Sequence, residues 1–177
     1  GFLSGANRKD AKWTARELDA AVEDPLLSPF LVELHAGVPL DAHATARFSR
    51  ALENGAIAPA RFAGLMYGGA TKHVPAQDLA RFLGELHTTE GGVQAAVEVL
   101  HMRIYGDRTD NKEIAPELVE LARRMVADPR TFAVEFEPSD HGIKTVAKVA
   151  MRGLGGEESA RQICRAMRGR RGSNSFR

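Results

Sequence analysis

Apolar residues recur three and four positions apart along nearly the whole chain, and glycine or proline interrupts the recurrence at short intervals. That combination constrains the chain to many short helices joined by tight turns. Residues 10–24 place Trp13, Leu18, Ala21 and Val22 on one side, and Pro25 closes the stretch. Ser28-Pro29 reads as an N-cap followed by proline at the first helical position, and Gly37 ends the short helix that follows. After Asp41 come Ala44, Phe48 and Leu52, four apart, with Gly55 as the stop. Pro59 opens a turn set carrying Phe62, Leu65 and Met66 up to Gly68-Gly69, and Pro75 opens another with Leu79, Phe82, Leu83 and Leu86. Gly91-Gly92 precedes Val93, Ala96, Val97, Leu100 and Ile104, and Pro116 precedes Leu118, Leu121, Ala122 and Met125. Ser139 and Asp140 are caps for a helix with Ile143, Val146, Ala147 and Ala150, and residues 157–167 form the last stripe with Ile163, Ala166 and Met167.

The period therefore predicts about nine helices, each roughly 7 to 15 residues long. Only residues 131–136 alternate like a strand, and a lone short run makes no sheet. The expected class is all-α: stacked short antiparallel helical hairpins, as a solenoid or an irregular bundle. With 177 residues and 19.2 kDa the chain is long enough to bury its own core. At 44% hydrophobic and 27% charged it has the composition of a soluble domain. No apolar run reaches the roughly 18 residues of a membrane span, so no membrane partner is expected. A single cysteine, Cys164, excludes an intramolecular disulfide. The chain opens on Gly1, not Met, and reads as processed or as a piece of something longer. The expected organisation is a flexible N-terminus over 1–9, one helical domain over 10–168 and a basic disordered tail over 169–177.

Internal similarity supports stacked hairpins. Phe30-Leu31-Val32-Glu33-Leu34-His35 returns as Phe82-Leu83-Gly84-Glu85-Leu86-His87, and at the same offset Ala44, Phe48 and Leu52 fall on Ala96, Leu100 and Ile104. The stretch 92–126, GVQAAVEVLHMRIYGDRTDNKEIAPELVELARRMV, is a helix, a polar joint and a second amphipathic helix. It resembles the HEAT- and armadillo-type α-solenoids of large bacterial multidomain proteins. The resemblance implies stacked helix pairs and a binding role.

No constellation has a catalytic spacing. Glu98-x-x-His101 is the spacing of a di-iron ligand pair, but no second copy exists. Glu33/His35 and Glu85/His87 stand about 200° apart on a helix and cannot share an ion. The remaining histidines, His43, His73 and His141, show no zinc spacing, so no metal and no cofactor are expected. Residues 66–72, Met-Tyr-Gly-Gly-Ala-Thr-Lys, lack the phosphate-loop spacing and read as a helix stop. Gly153, Gly155 and Gly156 read the same way.

Two features point to partners. Residues 150–177 hold seven arginines against Glu157 and Glu158, a local +5, which leaves −4 for residues 1–149 of a chain whose formal charge is +1. Arg165, Arg168, Arg170 and Arg171 are the candidate polyanion contact. Residues 105–113 are the most polar internal stretch and read as an interhelical loop, with Tyr105, Asp107, Arg108 and Lys112 as candidate recognition residues. The expectation is a non-enzymatic cytoplasmic scaffold with a protein partner. The alternatives are a nucleic-acid-associated module using the basic C-terminus, and an enzyme whose site is assembled from dispersed His and Glu.

Overall fold

The computed structural model describes the backbone of residues 2–132 and 140–173, with side chains described through 132 and over 141–167. Among these residues there are nine α-helices and no strand. They are α1 (Phe2–Lys9), α2 (Ala11–Glu23), α3 (Leu31–Leu34), α4 (Ala42–Glu53), α5 (Ala76–Thr88), α6 (Val93–Thr109), α7 (Pro116–Ala127), α8 (Asp140–Ala150) and α9 (Gly156–Ser173). Four 3₁₀ segments, Ser28–Phe30, Pro59–Met66, Ala70–His73 and Pro129–Phe132, fill the joints. The all-α class expected from the period is what the chain adopts.

Local chemistry sets the helix ends. Asp10 accepts from the Trp13 amide and Asp41 from the Ala44 amide, each at 2.9 Å, so both helices start on a side-chain cap worth about 1 kcal/mol. Gly91 takes a left-handed φ of +76° before α6. At the next position a Cβ would lie 2.0 Å from the Leu86 carbonyl oxygen, so only glycine lets the chain turn there.

The structure differs from the sequence reading in five places. Residues 1–9, expected as a flexible terminus, carry helix α1, where Phe2 meets Trp13 edge-on at 6.3 Å. Trp13 accordingly sits only half-buried, and Thr14 takes its place in the buried stripe of α2. Helix α9 continues through Ser173, past the point where a disordered tail was expected. The turn set after Pro59 winds as 3₁₀, not α. Thr131 and Phe132 belong to a 3₁₀ turn, and the rest of the strand-like run, like the Ser139 cap and residues 174–177, lies outside the described residues.

The core gathers on α6. Ala95, Ala96, Val97, Val99, Leu100 and Ile104 are all buried, so this helix is enclosed on most sides and not on one stripe. It packs mainly against Pro59–Met66, α5 and α8, and has few contacts with α7, its neighbour in sequence. Helices α5 and α8 touch both α6 and α7. Beside α6, Phe48, Phe62 and Phe82 meet with centroids 5.0 to 5.7 Å apart, and His35 lies edge-on to Phe48 at 4.8 Å.

Leu100 is fully buried at the centre of this packing. Leu100→Ala is expected to cost about 2–5 kcal/mol in chemical denaturation, and a neutral result would contradict the placement of α6.

Three histidines carry a pH signature. His35 is 3% exposed; its Nδ1 pairs with the Leu31 carbonyl at 2.8 Å and its Nε2 has no partner. Burial holds it below the usual histidine range; the Leu31 carbonyl opposes this, Arg47 adds to the depression, and Asp41 and Asp19 oppose it. Burial likewise lowers His87, where Asp128 opposes and Arg130 and Arg124 add, and His101, where His141 adds and Glu98 opposes. The folded state thus resists protons that the unfolded chain accepts below about pH 6.5. Stability is complete above that value and is lost as pH falls toward the depressed folded-state values. Melting temperature should therefore drop between neutral and mildly acidic pH, and His35→Leu should flatten that slope. A melting temperature constant over this window would contradict the burial.

Candidate binding cleft

Gly68 and Gly69, with φ of +63° and +66°, turn the chain between two 3₁₀ segments, a conformation that favours glycine. The turn lays residues 65–72 beside the C-terminal half of α6 and leaves a cleft of about 330 Å³ between them. Leu65, Met66 and Met102 supply apolar wall; Thr71, Lys72 and Asp110 supply polar groups; Tyr105 and Gly106 face it from α6.

Arg103 fixes the two sides to each other. Its Nη1 donates to the carbonyls of Thr71 at 2.8 Å and Val74 at 2.9 Å, and its Nε donates to Asp107 at 2.9 Å. The Arg103 and Asp107 side chains are 11% and 7% exposed, so the pair is largely out of water. The carbonyls it takes belong to the end of the Ala70–His73 turn: that of Thr71 also accepts the Val74 amide at 3.1 Å, and that of Val74 takes its partner from the arginine.

At the far end, Asn111 adopts a left-handed φ of 54° and ends α6. The Lys112 amide then donates to the Asp107 carbonyl at 2.7 Å, closing a Schellman-type end. This return brings the Lys112 ammonium within 3.2 Å of Asp110, which Lys72 reaches from the other side at 3.0 Å. Hydrogen bonds from the two ammoniums hold the Asp110 carboxyl below the usual carboxylate range.

The structure therefore joins two stretches that the sequence reading kept apart, the Gly-Gly segment 66–72 and the polar stretch 105–113. It also corrects the second. Helix α6 runs through Thr109, so Tyr105, Asp107 and Arg108 stand on a helix and not in a loop. Asp107 is buried and pairs one turn back with Arg103, which removes it from any recognition surface. Tyr105 is 59% exposed, Arg108 is exposed, and Lys112 lies in the turn. Arg103 and Gly106 were not singled out in the sequence; the i,i+4 spacing of Arg103 and Asp107 was the available signal.

The basic C-terminal helix is a separate feature. Arg161 pairs with Glu157 and Glu158, and Arg165 lies 3.8 Å from Glu158, so two of its cations are matched within α9. The side chains of Arg168, Arg170 and Arg171 lie outside the described ones. Glu98 accepts from Gln94 at 3.2 Å, and among the described residues no group of three or more His, Cys, Asp or Glu is placed to hold a metal. No helix of the described residues is long and apolar enough to cross a membrane. Comparison of the chain with protein-family models, curated proteins and solved structures finds no match.

Gly106 sits inside α6, and a Cβ there would meet nothing within 4 Å. Gly106→Ala should raise stability by about 1 kcal/mol through helix propensity, read from the denaturation midpoint. A lowered midpoint would show that the space beside Gly106 is needed by the fold.

Proposed function

We propose that the chain is a non-enzymatic helical scaffold that binds another protein, with the cleft between residues 65–72 and α6 as its docking face. The observation that carries this is the composition of the cleft and its surroundings. Tyr105 is 59% exposed, beside walls containing Met66 and Met102. Tyrosine and methionine are the residue types enriched where proteins meet. The finer arrangement we propose is of the helical-repeat type. Its support is that the two sequence copies bury matching positions: Leu31 and Leu83, His35 and His87, Ala44 and Ala96, Phe48 and Leu100, Leu52 and Ile104.

A second reading, contact with a nucleic acid, is favoured by one observation. Helix α9 extends through Ser173 and so carries positions 161, 165, 168, 170 and 171 on one continuous element. It predicts affinity that falls steeply with salt.

Photo-crosslinking separates the two. A benzoylphenylalanine placed at Tyr105 should capture a protein, while the same probe at exposed Lys12 on α2 should not. Equal capture at both positions, or salt-sensitive binding of duplex or single-stranded nucleic acid without protein capture at position 105, would contradict the docking reading.

A further inference from the structure

We infer that the cleft receives an acidic peptide segment, one that presents an apolar side chain next to a carboxylate. This rests on the docking reading above and names the chemistry of the partner. Three observations meet at the cleft.

The first is Gly106. A glycine inside a helix costs about 1 kcal/mol against alanine. Gly106 has an ordinary helical backbone and open space where its Cβ would stand, as Gly5 has in α1, but of the two only Gly106 lines this cleft. Nothing in the packing requires it. Its effect is to keep one side of the cleft free of a side chain.

The second is charge. Arg103 and Asp107 cancel each other beneath the surface. At the mouth, two ammoniums share one carboxylate: Lys72 and Lys112 both bind Asp110. A positive charge is left over there. Exposed Arg108, on the same turn of α6, has no ion-pair partner among the described residues. A carboxylate brought to Lys72 and Lys112 completes an alternating row of charges, whereas a basic segment meets repulsion.

The third is the lining. Leu65, Met66 and Met102 accept an apolar side chain, and flexible methionines adapt to its shape. Thr71 lines the same space and is 4% exposed, and its hydroxyl has no hydrogen-bond partner among the described residues. It is free to serve the backbone of a bound segment.

The test uses three fluorescein-labelled peptides with one Leu-Phe core, flanked by Glu, by Gln or by Lys, titrated in fluorescence anisotropy against the full chain. The Glu peptide should bind about tenfold more tightly than the Gln peptide at low salt, with the Lys peptide weakest, and added salt should narrow the gap. Lys72→Ala/Lys112→Ala should bring the Glu and Gln peptides level. Gly106→Leu, which fills the cleft, should lose binding without a lower melting temperature. If that variant melts early, Tyr105→Ala at an exposed position serves as the second cleft variant and should also weaken binding. Equal binding of all three peptides that is lost in Gly106→Leu would overturn the acidic partner and leave the docking face standing. Binding retained in both cleft variants, or no binding by any peptide, would overturn both.

Discussion

The guanidinium of Arg103 is the contact on which the cleft side of the molecule depends. Residues 59–74 are two 3₁₀ segments and a double-glycine turn, and such backbone leaves carbonyls without partners. The Val74 carbonyl is taken by a side chain from α6, which also bonds the Thr71 carbonyl alongside the Val74 amide. Asp107 holds that side chain from one turn further along, so its direction is set before it reaches across. Removing the arginine alone would strand a buried carboxylate and the Val74 carbonyl, which is why the pair reads as structure and not as a site.

The same device recurs at three other places in the fold. Arg47 on α4 donates to the Ala15 carbonyl and pairs with Asp19 on α2. Arg123 on α7 donates to the carbonyls of Ala150, Arg152 and Leu154, which caps α8 and holds the turn into α9. Arg130 pairs with Asp128 and reaches the last carbonyls of α5 at His87 and Thr88. Apolar burial around α6 supplies the bulk of the stabilisation, and these planar donors set how neighbouring elements join.

This division explains what was legible in the sequence. Helix period, Gly91-Gly92 and Pro116 are local signals, and each marked its element, whereas Asp10 and Asp41 showed themselves as caps only in the structure. The stripe Val93, Ala96, Val97, Leu100 and Ile104 found α6, but Ala95 and Val99 on its other side showed its central place only once neighbours were packed around it. The polar run after Tyr105 misled because charge density resembles a loop, when Asp107 is in fact buried against Arg103. What carbonyl an arginine will reach depends on elements some 30 residues away, and no spacing rule records that. The cleft was visible only as two unrelated fragments for the same reason.

The central claim is that Arg103 joins residues 65–74 to α6 and so builds the cleft. Arg103→Met/Asp107→Leu removes both charges together and leaves no buried ion behind. Amide hydrogen exchange on this variant should show about tenfold or greater loss of protection at residues 65–74, with α7 and the described part of α8 unchanged. Unaltered exchange at 65–74, or a uniform acceleration along the whole chain, would contradict the claim.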